Sequence, residues 1–214
     1  VWNVVDCSDT AVTLALDLPD GEGNLPGHRH VTACFSLHQG ARLRLTVTAT
    51  TDALTLFNAA NHSYWNLDGS ASWAGHSLQI AASSYLPTDG DFCVTGEIAD
   101  VSGTPMDFRR GRKITPADTV LDNNFCLSGG RQDLRDVLWL TGTNGLTMTV
   151  ATTEAGIQLY DARGAQRPKG PFYEGLAIEA QNWPDAPNHA SFPSIEMKPG
   201  EDCVQVTEWR FNRS

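Results

Sequence analysis

The residues best suited to proton transfer are His62 and Glu179, and each lies in a stretch rich in amides and aromatics. Asn58-Ala59-Ala60-Asn61-His62-Ser63-Tyr64-Trp65-Asn66-Leu67 sets one His among three Asn, a Ser and two aromatics directly after a strand-like stretch. Amides and a hydroxyl hydrogen-bond the hydroxyls of a sugar, and aromatic faces suit the apolar C–H face of a pyranose ring. Asn also satisfies the backbone of buried turns, so this segment alone favours a structural role. The second stretch, Leu176-Ala177-Ile178-Glu179-Ala180-Gln181-Asn182-Trp183-Pro184-Asp185-Ala186-Pro187-Asn188, presents an acid on an apolar strand. Period two puts Glu179 on the face of Ala177 and Gln181, opposite Leu176, Ile178 and Ala180. Desolvation there would raise its pKa and suit a general base; a solvent-facing Glu on a polar face is the competing reading. In Thr119-Val120-Leu121-Asp122-Asn123-Asn124-Phe125-Cys126-Leu127, Asp122 is placed either to bind sugar hydroxyls or to cap a turn. Gly103-Thr104-Pro105-Met106-Asp107-Phe108-Arg109 reads as structural, with Pro105 fixing a turn and Asp107 and Arg109 forming a local ion pair.

Other chemistries lose their warrants. The sequence has no G-x-x-x-x-G-K-[ST], no strand-linked G-x-G-x-x-G, no G-x-S-x-G and no H-E-x-x-H. A formal charge of −10 opposes a phosphate-tracking surface, so nucleic acid is not an expected partner. No apolar run approaches the roughly 20 residues that span a bilayer, and no signal pattern opens the sequence; neither a membrane nor an extracellular location is expected, and the reading is cytoplasmic. His28 and His30 have the spacing of metal ligands on one strand face, yet no third ligand is evident nearby, so no metal is expected. The five cysteines, Cys7, Cys34, Cys93, Cys126 and Cys203, lack a C-x-x-C pair and read as reduced, mostly buried thiols. The sequons Asn61-His62-Ser63 and Asn212-Arg213-Ser214 read as chance occurrences.

The elements that must hold these residues are strands. Arg42-Leu43-Arg44-Leu45-Thr46-Val47-Thr48 alternates, with Leu43, Leu45 and Val47 on one face. The pattern returns in Val12–Leu16, Leu146–Val150 and Val204–Trp209, rich in Thr and Val and separated by turns such as Asp20-Gly21-Glu22-Gly23. No stretch of helical periodicity stands out beyond a short candidate at Asp133-Leu134-Arg135-Asp136. The composition, 41% hydrophobic and 19% charged, is that of an ordinary globular protein. An all-β fold in one domain over residues 1–214 is the expectation. Two irregular stretches, Thr104 to Thr119 and Asp161 to Glu174, read as surface loops. The opening Val1-Trp2-Asn3-Val4 has no initiator Met and resembles the middle of a strand, so it is expected not to be a native N-terminus.

Taken in order, these segments resemble the aldose 1-epimerase (galactose mutarotase) family along nearly the whole chain. Asn61-His62-Ser63-Tyr64-Trp65-Asn66-Leu67 is similar to N-H-S-Y-F-N-L, Gly103–Arg109 to G-T-P-F-D-F-R, and Leu121-Asp122-Asn123-Asn124-Phe125 to a D-H-N-F element with Asn123 in place of His. Glu179–Asn188 is similar to E-T-Q-x-F-P-D-A-P-N, Phe192-Pro193-Ser194 to F-P-S, and Lys198-Pro199-Gly200-Glu201 to R-P-G-E. The resemblance implies a large antiparallel β-sandwich acting on a free aldohexose, as a monomer or homodimer and without a cofactor. It implies Glu179 as general base, His62 as acid, and Asp122, Asn61, Gln181 and Tyr64 as contacts to the monosaccharide. The family's L-H-G-G histidine and a substrate-binding arginine, which precede the region matched by Val1, have no counterpart, so the chain looks like a C-terminal portion. A sugar-binding sandwich without turnover, or an inactive fragment, are the competing expectations.

Overall fold

Alternating apolar residues from end to end produce strands that bury one face each. The computed structural model describes residues 1–118 and 120–213; Thr119 of the Asp122 stretch and Ser214 of the second sequon lie outside the described residues. The strands are β1 (Asn3–Cys7), β2 (Ala11–Leu18), β3 (Arg29–His38), β4 (Arg42–Thr51), β5 (Thr55–Leu56), β6 (Tyr64–Trp65), β7 (Ser77–Ile80), β8 (Ser84–Tyr85) and β9 (Ala99–Asp100). They continue with β10 (Arg112–Lys113), β11 (Asp122–Cys126), β12 (Arg135–Thr141), β13 (Leu146–Thr152), β14 (Gly156–Tyr160), β15 (Leu176–Gln181), β16 (Glu196–Met197) and β17 (Cys203–Arg213).

A nine-stranded sheet runs β1-β2-β3-β4-β17-β13-β12-β7-β10, and a six-stranded sheet runs β6-β15-β14-β11-β8-β9. The pairings are antiparallel throughout, including the small β16-β5 pair. The inner faces meet in one apolar cluster: Val47, Leu140 and Val150 from the large sheet touch the same core as Phe125, Leu159 and Ile178 from the small one. Burial of each such side chain contributes about 1.5–3 kcal/mol. The consequence for β11, β14 and β15 is geometric. Alternate residues of all three point away from the core, onto one outer face.

Several expectations change. Asp133–Asp136 is not helical: it is a bend leading into β12, where Arg135 Nη1 donates to Thr152 O at 3.0 Å. The stretch 104–118 is more than a surface loop, because it carries edge strand β10 and sends Phe108 and Ile114 into the core; its turns mask the alternation that would have revealed them. The five thiols are free, but Cys126 alone is buried, while Cys7 and Cys93 are exposed. Asp17 lies across from His30 in the β2–β3 pairing. Its Oδ1 sits 2.8 Å from His30 Nδ1 and 3.6 Å from His28 Nε2, so an acid is near the histidine pair after all. Among the described residues no group of His, Cys, Asp and Glu has metal-holding geometry, and no helix is long and apolar enough to cross a membrane.

Candidate functional site

Strand register assembles the outer face of the small sheet row by row. Asp122 pairs with Tyr160, and Tyr160 with Ala177, which pairs with Tyr64. Asn124 pairs with Gln158, and Gln158 with Glu179. Cys126 pairs with Gly156, and Gly156 with Gln181. Cross-strand partners share a face, so Tyr64, Tyr160 and Asp122 stand beside Glu179 and Gln158, with Gln181 in the next row.

Gly156 lets these rows close up. A Cβ there would overlap Asn124 Oδ1 and meet Trp183 Cδ1 at 3.0 Å. Trp183 is itself anchored, its Nε1 donating to Ala155 O at 2.9 Å.

His62 arrives from the loop between β5 and β6, and two amide side chains fix that loop. Asn58 Nδ2 donates to Asn182 O at 3.1 Å while Asn182 N donates to Asn58 Oδ1 at 2.8 Å. Gln205 of β17 receives Ala59 N on Oε1 and donates Nε2 to Ala59 O, both at 3.2 Å. Asn66 also serves the backbone, donating to Ser70 O and Glu174 O. Of the three amides around His62, Asn58 and Asn66 thus hold backbone, and His62 itself reaches Glu179. Its Nε2 lies 3.3 Å from Glu179 Oε1.

Glu179 is only 8% exposed, which rejects the solvent-facing reading. Burial raises its pKa; His62 opposes the rise and the nearby Asp122 carboxylate adds to it. Asp122 is raised too, first by burial, with Gln158 opposing through a hydrogen bond and Asp161 adding like charge. Gln158 Nε2 donates to Asp122 Oδ1 at 2.8 Å. Burial likewise raises the Tyr64 phenol, with Tyr160, Glu179 and Asp122 reinforcing it.

A cavity of about 620 Å³ opens over this face and is lined by His62, Asp122, Gln158, Tyr160, Glu179 and Gln181, with Phe92, Cys93 and Asp185 along its wall. His62, Glu179, Asp122 and Gln181 thus come together. Asn61 does not line this cavity: it lines an adjoining apolar groove of about 340 Å³, shared with His62. Tyr64 lines a third cavity of about 690 Å³ toward Arg167 and Glu174, although its ring lies 5.1 Å from that of His62.

An acid and a base in contact, ringed by amides and a second carboxylate, is an arrangement whose chemistry suits moving protons to and from a hydroxyl. The family model for aldose 1-epimerase matches residues 1–210. The chain belongs to the aldose 1-epimerase family. The galactose mutarotase of Homo sapiens is 34% identical over 208 residues, covering 91% of this chain and 60% of that protein. The aldose 1-epimerase of Escherichia coli K12 is 32% identical over 231 residues, covering 98% of this chain and 66% of that one. The chain therefore spans about two thirds or less of these relatives. The aldose epimerase homologue from C. elegans superimposes with a TM-score of 0.90 at 28% identity, covering 99% of this chain and 68% of its own. A galactose 1-epimerase from Lactobacillus acidophilus gives 0.82, also at 28% identity, over 100% and 67%.

Within this family member, sequence reasoning missed Gln158 and Tyr160. The signal was present: Gly156-Ile157-Gln158-Leu159-Tyr160 alternates, with Ile157 and Leu159 in the core and Gln158 and Tyr160 opposite. Gln158 lacks the flanking amides and aromatics that drew attention to His62 and Glu179, and only the neighbouring strands show what it faces.

Proposed function

We propose that the chain carries the acid–base centre of an aldose 1-epimerase acting on a free aldohexose such as galactose or glucose. Glu179 accepts the proton of the C1 hydroxyl as the C1–ring oxygen bond breaks, and His62 supplies the proton taken up by the ring oxygen. The product is the open-chain aldehyde. Rotation about C1–C2 presents its other face, and return of both protons closes the second anomer. Protons and bonds balance without net oxidation.

The observation that carries this reading is the 3.3 Å approach of His62 Nε2 to Glu179 Oε1 at the floor of one cavity. The raised pKa of Glu179 brings its basicity closer to that needed near neutral pH. Asp122 and Gln181 receive hydroxyl protons or share them, and Gln158 Oε1, buried and without a partner among the described residues, offers a further acceptor. Asn61 and Tyr64 flank His62 from the two adjoining cavities and limit where the ring can sit. A cavity of about 620 Å³ is of the size that holds a small ligand.

The test is polarimetry on freshly dissolved α-D-galactose and α-D-glucose. Glu179→Gln keeps the shape and removes the base, and the enzyme-dependent rate is expected to fall about 10²–10⁴-fold, toward the buffer rate. Equal rates for wild type and variant would remove Glu179 from the mechanism. Sugar binding by the wild type without acceleration would favour a carbohydrate-binding sandwich.

A further inference from the structure

Phe92 stands out as an exposed aromatic in a left-handed backbone conformation. It lies in the loop between β8 and β9, closed by the Thr88–Val94 bridge. Asp89 ties the tip together: its Oδ1 receives Asp91 N at 2.9 Å and Cys93 N at 3.0 Å, and its carbonyl receives Phe92 N at 3.2 Å. These bonds force Phe92 to φ 62°, a left-handed backbone that bulky side chains rarely adopt and that Gly or Asn adopts easily. Strain of this kind persists where surrounding structure imposes it, and it concentrates at ligand sites.

Packing gives no offsetting reason for a phenyl ring here. Phe92 is 58% exposed, and among the described residues it belongs to neither apolar core cluster and to none of the aromatic pairs. It does line the cavity that holds His62, Asp122 and Glu179, and it also lines a smaller cavity of about 280 Å³ that shares Thr88 and Asp122. The sheet side of the site is polar, supplied by Asp122, Gln158, Glu179 and Gln181. The loop side offers an apolar ring. A pyranose has the same asymmetry, with hydroxyl edges and an apolar C–H face.

We infer that Phe92 is the stacking platform of this site, held over the cavity by the Asp89-organised turn so that its ring covers the apolar face of the sugar while the sheet binds the hydroxyls. This deepens the epimerase reading and rests on it for the identity of the ligand. Phe92 takes no part in proton transfer. It positions the ring and excludes water, so its removal weakens binding more than turnover.

Three variants of the full chain test this: Phe92→Asn, which fits the left-handed backbone without the ring, Phe92→Tyr, which keeps the ring, and Glu179→Gln. Affinity for D-galactose and D-glucose is measured by calorimetry, and KM and kcat by polarimetry. Phe92→Asn is expected to raise Kd and KM roughly three- to tenfold, with a smaller fall in kcat, and Phe92→Tyr to bring both back toward wild type. Because strain is relieved, Phe92→Asn is also expected to raise Tm by a few degrees, a combination that a purely structural role does not produce. Unchanged affinity in Phe92→Asn, or loss that Phe92→Tyr fails to restore, overturns the platform. If the wild type binds sugar but Glu179→Gln leaves the rate unaltered, the catalytic reading fails and the affinity comparison still decides Phe92. A wild type that binds neither sugar overturns both.

Discussion

Replacing Gly156 with Ala tests whether close approach of β11 and β14 builds the outer face of the small sheet. The added Cβ overlaps Asn124 Oδ1, comes within 3.1 Å of Asn124 Cγ and lies 3.0 Å from Trp183 Cδ1. Neither neighbour moves freely: Asn124 is 1% exposed, and Trp183, 6% exposed, is held through Ala155. Overpacking of this type costs about 1–3 kcal/mol. The backbone at Gly156 is not left-handed, so Gly→Ala also returns about 0.4–1 kcal/mol by restricting the unfolded chain. The net loss is roughly 1–2 kcal/mol, which for a chain of this size lowers Tm by about 2–8 °C. Urea melts of wild type, Gly156→Ala, Asn124→Ala and the double variant form a cycle. If Asn124 is the obstacle, Gly156→Ala becomes at least about 1 kcal/mol less costly once Asn124 is cut back. Additivity within about 0.5 kcal/mol, or a single variant as stable as wild type, refutes the close-approach argument.

Other outcomes follow from the same geometry. Gln205→Ala removes both hydrogen bonds to Ala59; a loss of about 1–3 kcal/mol is expected, and the mutarotation rate should fall with it, because His62 is three residues further along the loop it pins. The acid limb of the pH–rate profile should lie above the range of an ordinary Glu; Asp122→Asn removes a like charge and moves that limb to lower pH, whereas an unmoved limb means that Asp122 and Glu179 do not interact. Because the folded Glu179 carboxyl titrates above its unfolded value, its contribution to stability is greatest below the unfolded value and declines as pH rises through the folded one. Glu179→Gln should therefore melt higher than wild type at neutral pH, and the difference should close on acidification. Burial pushes the Cys126 thiol up to about 11, so a thiol reagent at neutral pH should label Cys7 and Cys93 rapidly and Cys126 only on unfolding, with galactose slowing reaction at Cys93 in the cavity wall; mass mapping of the labelled peptides reads this out.

His62 and Glu179 stood out in the sequence because each lies in a stretch of amides and aromatics, and the all-β fold was legible because alternation is a local property that needs no partner to be seen. The face on which Glu179 lies also followed from period two. Local patterns did not reveal burial: Phe108 and Ile114 hide in a turn-rich stretch, and the other four cysteines are all less buried than Cys126, with Cys7 and Cys93 exposed. That Asn58 and Asn66 serve the backbone was visible only when Asn58 met Asn182 and Asn66 met Glu174, contacts between segments far apart in the chain. Sequence by itself determined which residues have side chains suited to proton transfer and that the fold around them is built from strands. Tertiary structure decided which of them meet, because cross-strand register brings Gln158, Tyr160 and Asp122 beside Glu179, and a loop clamped from both sheets delivers His62. Register depends on pairing between distant segments, and no single segment contains it.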